Sequence, residues 1–269
     1  MSDYMFMLDN HLNAEQSKAV AAVRDAAEEA HVNVFLTGGA MRDMMGGFPI
    51  RDLDFTVEGA AVKLAKALAQ EANAEITSID EARRCAEMIF PGAVNASISM
   101  ARQERYPRPG AKPQVQPATI YEDLHGRDFT IDAIALSLSQ ASRGLLLDPT
   151  NGLGDLSRKE LRAVTNYSLY DHPARILRLI RLRVRLGFAI DERTTAQYGN
   201  AREAKLETKI PAAEIHYELR QIALDPLAGE ILKALEEEHL LSIVSPALSG
   251  PKLNLSGFQR LQKARQLMP

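Results

Sequence analysis

Leu36-Thr37-Gly38-Gly39-Ala40-Met41-Arg42-Asp43, followed after a short glycine-containing run by Arg51-Asp52-Leu53-Asp54-Phe55-Thr56-Val57, is the stretch on which the reading of this chain turns. The apolar run Val34-Phe35-Leu36 stops at the paired glycines, and a second apolar run begins inside Asp52-Leu53-Asp54. Side chains along a strand alternate between faces, so Asp52 and Asp54 share one face of a predicted strand while Leu53 and Phe55 point to the other. Two like charges side by side repel unless a cation lies between them. Oxygen ligands of this kind suit Mg2+, which is usually held by one or two carboxylates together with substrate phosphates. Gly38 and Gly39 let the backbone approach a ligand closely and offer N–H groups that suit a phosphate. Arg42 is placed to contact a triphosphate, with Asp43 bracing it.

Outward from this stretch, hydrophobic periodicity predicts helices over 14–31, 40–45 and 60–72 and strands over 32–36, 52–57, 74–77, 86–90 and 94–100. Prolines 107, 109, 113 and 117 make 105–118 an extended connector or an ordered loop, since proline breaks either ladder. Asp128 is expected to cap a helix running through Ile131, Ala135 and Leu138. A strand over 144–147, then a glycine-containing turn and the stretch 155–159, follow. Beyond Leu161 the period is helical, with segments at 173–186, 192–204, 212–223, 227–240 and 256–267. The expected architecture is an α+β part with a mixed β-sheet over 1–160 and an all-helical part over 161–269.

Bulk properties narrow the function classes. The chain has 269 residues, 46% apolar and 25% charged, which is ordinary for a soluble globular protein. No apolar run approaches about 20 residues, so no membrane span is expected. The N-terminus does not read as a signal peptide. The one cysteine, Cys85, excludes an internal disulfide and fits a reducing, cytoplasmic setting. Trp is absent and other aromatics are few, which argues against a platform of stacked rings as the main mode of nucleic-acid recognition. Net charge is −3 overall but is unevenly spread: residues 1–160 carry 16 Lys and Arg against 23 Asp and Glu, and residues 161–269 carry 16 against 12. An acidic first part with a metal site and a basic helical second part suits an enzyme that processes nucleic acid. Arg175, Arg178, Arg181 and Arg185 recur at helical spacing, with no acid between 172 and 190, and are expected to form a phosphate-facing stripe shared by nucleotide and RNA.

Together these motifs resemble the head-domain signature of the bacterial-type (class II) tRNA nucleotidyltransferases and poly(A) polymerases. The likeness begins at Gly38–Asp43 and Arg51–Phe55. It extends to Arg102-Gln103-Glu104-Arg105-Tyr106, to Glu122–Ala133 and to Asp171-His172-Pro173-Ala174-Arg175-Ile176-Leu177-Arg178. It runs in order over roughly residues 30–245. The resemblance implies a polymerase-beta-like nucleotidyltransferase head and a helical neck. It also implies transfer of CMP or AMP from CTP or ATP to the 3'-hydroxyl of a tRNA or other RNA, with Mg2+. Polyadenylation and a non-catalytic RNA-binding role are the other readings it leaves. By the resemblance, Asp52 and Asp54 are the catalytic metal ligands, and Gly38, Gly39 and Arg42 lie against the triphosphate. Arg127 and Asp128 address the ribose, Asp171, His172 and Arg175 read the base, Arg178 lies near the phosphates, and Arg181 and Arg185 meet RNA.

Four positions depart from the family pattern: Ser97 for an Asp, Gly126 for an Arg, Asp132 for an Asn and His172 for a carboxylate. A neutral imidazole accepts a hydrogen bond through only one nitrogen, so the choice between CTP and ATP stays open. The chain is short for the family, which leaves truncation, a compact variant, a homodimer or a partner chain as readings.

Overall fold

Val34, Leu36, Leu53, Phe55 and Val57 are all within 1% of complete burial in the computed structural model, as the alternation around the opening stretch requires. The structure describes residues 3–245, 248, 256, 257 and 260. It divides into two units, 1–105 with 114–158, and 106–113 with 159–269.

The first unit runs α1 (Asp3–His11), α2 (Ala14–Glu29), β1 (Asn33–Thr37), α3 (Gly38–Met45), β2 (Leu53–Glu58), α4 (Ala61–Glu71), β3 (Glu75–Asp80), β4 (Cys85–Phe90), β5 (Val94–Met100), β6 (Arg102–Arg105), β7 (Gln114–Pro117), α5 (Ile120–Gly126), β8 (Ala135–Ser137), β9 (Leu146–Leu147) and α6 (Gly152–Arg158). Seven strands form one mixed sheet in the order β3-β4-β5-β2-β1-β8-β9. Within this sheet, among the described residues, only β2 and β5 pair in parallel, with Asp54 opposite Ser97. Helices α2 and α4 pack against the sheet and each other, burying Val20, Val23, Leu64 and Leu68. Burial of a large aliphatic side chain contributes about 1.5–3 kcal/mol, so this layer holds β2 and β5 firmly in register. Asn13 caps α2 reciprocally with Gln16, whose side-chain amide also donates to the Ile50 carbonyl and so ties the helix to the segment before β2.

Two expectations fail here. The helix predicted from Asp128 through Leu138 is absent. A helix ends earlier, at Gly126, a 3-10 turn covers Thr130–Asp132, and Ala135–Ser137 is a strand paired with β1. Asp128 therefore caps no α-helix; its Oδ1 accepts from the next backbone N–H, that of Phe129. Residues 133–138 are buried without exception. A strand covered on both faces shows a continuous apolar run, which periodicity cannot distinguish from a buried helix. Nor is 105–118 simply a connector. Gln114–Pro117 pairs antiparallel with Arg102–Arg105, with Pro117 opposite Arg102 at the end of a two-stranded ribbon, an edge position that tolerates proline.

The second unit runs β10 (Glu160–Leu161), α7 (Ser168–Asp171), α8 (Arg175–Leu186), β11 (Ala189–Ile190), α9 (Glu192–Glu203), α10 (Ala212–Ala223) and α11 (Ala228–Glu237). Ile176, Leu177, Leu179, Ile180 and Leu182 of α8 are buried, and α10 and α11 both pack on this helix. The helix expected over 256–267 lies outside the described residues, apart from Ser256, Gly257 and Arg260.

Candidate functional site

In the first unit the site is built on the ends of β1, β2 and β5. Asp52 is exposed just before β2, and Asp54 is half-buried on it. Each carboxylate is held by a donor from β5: Ser97 Oγ donates to Asp54 Oδ1 at 3.0 Å, and Asn95 Nδ2 donates to Asp52 Oδ1 at 3.3 Å. The pairing of Asp54 with Ser97 follows directly from the parallel register. Ser97, where a further carboxylate was looked for, is thus a donor to the one already there.

The glycine turn closes on one of the carboxylates: Gly39 N–H donates to Asp54 Oδ2 at 3.0 Å. Gly38 has φ +61, in the left-handed region, and a Cβ there would stand 3.1 Å from Asp54 Oδ2. At Gly39 a Cβ would meet the same oxygen at 3.2 Å and Arg42 Nη2 at 3.3 Å. The left-handed backbone at Gly38 favours glycine, and at both positions a Cβ would press on Asp54, onto which the turn closes.

Arg42 is enclosed beneath this turn. Its Nη1 donates to Asp132 Oδ1 at 2.7 Å and its Nη2 reaches Asp43 Oδ1 at 2.8 Å, with each side chain only 4% exposed. The expected bracing by Asp43 is present, and the guanidinium lies buried between two carboxylates. Asp132 is its second partner, and this gives the departure at that position a structural purpose: an anion opposite a buried cation.

Arg127 is brought beside the carboxylates. Its Nη2 donates to Thr56 Oγ1 at 2.9 Å, and Thr56 lies two residues beyond Asp54 on the same face of β2. Its Nε donates to Asp123 Oδ2 at 2.8 Å, one helical turn earlier in α5. Burial works against the charge of Arg127, but the carboxylates of Asp123, Asp54 and Asp128 outweigh it and raise its pKa above the usual arginine value. Asp128 itself is buried, 6% exposed. Thr56 and Asp123 were missed from sequence. The signals were present, a period of two from Asp54 and a spacing of four from Arg127.

The second unit gathers Asp171, His172, Arg175 and Arg178 at the α7–α8 junction. Arg175 Nη1 donates to the wholly buried Ser168 Oγ at 2.8 Å. Burial raises the Asp171 carboxyl above its ordinary pKa, and the nearby Arg175 charge partly opposes this. Tyr106 stacks on His172 with ring centroids 5.3 Å apart, and its hydroxyl lies 3.3 Å from His172 Nδ1. His172 Nε2 lies 3.7 Å from Glu214 Oε2.

The arginine stripe is corrected by its partners. Arg181 is 4% exposed and its Nε donates to Glu218 Oε2 of α10 at 2.8 Å. Arg185 Nε lies 3.7 Å from the buried Asp225. Arg183, off the row, reaches Glu238 at 3.5 Å. The acids absent from 172 to 190 arrive from α10 and from the turns after α10 and α11, so Arg181 in particular is an internal charge with no exposed face for RNA. Asp52, Asp54, Gly38, Gly39 and Arg127 thus come together in the first unit, and Asp171, His172, Arg175 and Arg178 in the second.

Among the described residues no three His, Cys, Asp or Glu side chains group as a metal site. The pair Asp52 and Asp54 still fits Mg2+ by donor chemistry, since two oxygen ligands completed by substrate phosphates suffice. The donors from Gly39, Ser97 and Asn95 fix these carboxylates from outside, the arrangement that orients metal ligands elsewhere. No helix among the described residues is long and apolar enough to cross a membrane.

Residues 34–162 match the model of the poly(A) polymerase head domain. Over 237 residues the chain is 32% identical to the A-adding tRNA nucleotidyltransferase of Aquifex aeolicus, which covers 88% of this chain and 28% of that protein. It is 33% identical over 201 residues to the CC-adding tRNA nucleotidyltransferase of Deinococcus radiodurans, covering 75% of this chain and 52% of that protein. The crystal structure of a tRNA nucleotidyltransferase complexed with a primer tRNA and an incoming ATP analog superposes with a TM-score of 0.69 at 29% identity, over 91% of this chain and 68% of that one. The chain spans between about a quarter and a half of the length of these two curated relatives.

Proposed function

Residues 34–162 belong to the poly(A) polymerase head-domain family, and from that premise we propose that the chain transfers CMP or AMP from CTP or ATP to the 3'-hydroxyl of a tRNA, releasing pyrophosphate. The observation that carries the reading is the pair Asp52 and Asp54, held from outside by Asn95, Ser97 and the Gly39 N–H. Support also comes from the relatives, which are named for A and CC addition to tRNA. The action is assigned to the cytoplasm, in keeping with a single, unpaired cysteine.

Asp52 and Asp54 would hold Mg2+. When bound there, the ion supplies charge stabilisation for the phosphoryl oxygens and lowers the pKa of the attacking hydroxyl. The chain's own groups do the rest. Ser97 and Gly39 keep both oxygens of Asp54 directed, which preorganises the ligand at no cost during reaction. Arg127, anchored on Thr56 and Asp123, presents a fixed fork of donors next to Asp54 for the ribose of the nucleotide. Asp128 is assigned to the ribose hydroxyls, Asp171, His172 and Arg175 to the base, and Arg178 to the phosphates. Gly38 serves by closing the turn on Asp54. Arg42 is assigned a supporting part under that turn.

The test is extension of tRNA lacking its 3' end, with CTP, ATP or both and Mg2+, read as product length. Extension that is lost in Asp52→Ala supports the proposal and, by its length, separates C addition, A addition and a long A tract. No extension of any RNA would leave a non-catalytic RNA-binding protein as the better reading.

A further inference from the structure

Arg181 and Arg185 are turned inward, but the second unit carries four cations that are not. Arg108 and Lys112 flank Gly110 within 106–113, and Lys205 and Lys209 stand at the two ends of the 3-10 turn after α9; all four are exposed. Gly110 has φ +73, and a Cβ on it would overlap the carbonyl oxygen of Lys209. The two segments therefore meet backbone to backbone, a fit that glycine allows, and the two pairs of cations are brought onto one stretch of surface. Prolines 107, 109 and 113 fix φ around this contact, so the segment has little conformational entropy left to lose on binding.

These charges are not neutralised by the chain. No acid occurs from 105 to 121 or from 246 to 269. Of the acids flanking the second pair, Glu207 is drawn to Arg202 at 3.9 Å with its side chain 12% exposed, and Glu214 faces His172 at 3.7 Å. Glu203, on α9, pairs with neither lysine. Among the described residues none of the four cations forms an ion pair, whereas Arg181, Arg183, Arg185 and Arg202 of the same unit each do. The residues between the four are Pro, Gly, Ala and Thr, apart from the buried Leu206 and the inward Glu207. A protein partner would be expected to seat on aromatic or apolar anchors at the centre of the patch, and none is exposed here. A polyanion is held instead by cations alone, through release of its counterions.

Resting on the nucleotidyl-transfer reading above, we propose that Arg108, Lys112, Lys205 and Lys209 form a surface that holds the phosphate backbone of the RNA. The electrostatic footing of the RNA then lies on the Gly110–Lys209 contact and not on the arginine row of α8. Contacts of this kind position a nucleic acid without reading its sequence.

The experiment is filter binding of tRNA lacking its 3' end to the full chain, at salt concentrations from about 50 to about 200 mM. Two double variants, Arg108→Gln with Lys112→Gln and Lys205→Gln with Lys209→Gln, are compared with Lys233→Gln, an exposed lysine of α11 that lies 3.7 Å from Glu237. Thermal melts follow folding, which loss of exposed, unpaired cations should leave intact. Each double variant is expected to weaken binding about ten-fold or more at the lowest salt, and to reduce the slope of log affinity against log salt by about 1.4–1.8. Lys233→Gln should change affinity by less than about two-fold. In the extension assay the double variants should raise KM for tRNA and leave KM for CTP and ATP within about two-fold. Unchanged affinity and slope in the folded double variants overturn the inference. So does a rise in nucleotide KM with tRNA binding intact, which would make the four a triphosphate site, or displacement of tRNA by polyglutamate as readily as by an equal charge of competitor RNA, which would favour an acidic polypeptide. Absence of tRNA binding by the unaltered chain at the lowest salt overturns it as well. Binding that falls in the double variants, with no extension by the unaltered chain, upholds this surface and overturns the transfer reading alone.

Discussion

Replacing Glu218 by Ala should destabilise the second unit more than any removal of a surface charge. Arg181 and Glu218 are each 5% exposed at the side chain, and Arg181 Nε donates to the carboxylate at 2.8 Å. Deleting the acid leaves a guanidinium buried among Ile180, Leu182 and the α10 helix with its charge uncompensated. Arginine does not deprotonate to escape this, as a buried lysine does. Breaking one side of such a pair costs about 3–5 kcal/mol. For a chain of this size that corresponds to a fall in Tm of roughly 6–20 °C. The double variant Arg181→Met with Glu218→Leu removes both charges and keeps apolar volume, so it should recover most of the loss, because a buried pair and a packed apolar pair are close in energy. Thermal melts and urea titrations of the three proteins measure this, and filter binding of tRNA adds the functional side. The double variant should bind RNA like the unaltered chain, since an enclosed Arg181 reaches no phosphate. A change under about 1 kcal/mol in Glu218→Ala, or a loss of RNA affinity in a folded double variant, would refute the reasoning.

Other substitutions test the first unit. Gly39→Ala places a Cβ 3.2 Å from Asp54 Oδ2, so steady-state kcat for nucleotide transfer should fall about ten-fold or more while Tm shifts little; equal activity would sink the account of the turn. Ser97→Ala removes one donor to Asp54, a loss of about 1 kcal/mol, and should raise the Mg2+ concentration needed for half-maximal rate several-fold. Asp132→Asn keeps the shape but removes an anion from the Arg42 cluster, and should lower stability by about 1–3 kcal/mol in denaturant titrations. Cys85 is raised above the ordinary thiol range, mainly by burial. Its alkylation by iodoacetamide at pH 8 should be slow in the native chain and fast in urea. Because the folded thiol keeps its proton to higher pH than the unfolded one, its contribution to stability is lost as pH rises beyond the unfolded value.

Much of the first unit was legible because its signals are local. Alternation placed Asp54 on a strand face opposite Leu53 and Phe55, and the glycine pair marked the turn before α3. The segment 133–138 was misread for a local reason too, since a run buried on all sides carries no period to choose between helix and strand. Residue type alone showed that the backbone at the glycines comes close to a neighbour, and the fold brings the Asp54 carboxylate there.

By itself, the sequence determined that a Gly-Gly turn and an Asp-x-Asp strand belong to one site, that the first part is acidic and sheet-based, and that the rest is helical. These depend on residue type and short spacing, which the chain carries in order. Only the tertiary structure decided which charges are internal. Arg42 finds Asp132 ninety residues away, Arg181 finds Glu218 and Arg185 finds Asp225. A row of like charges reads as a ligand surface until the helices that neutralise it are packed alongside. The same holds for His172, whose nitrogens are directed at Tyr106 and Glu214 by folding alone. Partner choice across long separations is set by which faces bury their apolar residues together, and no spacing along the chain records that.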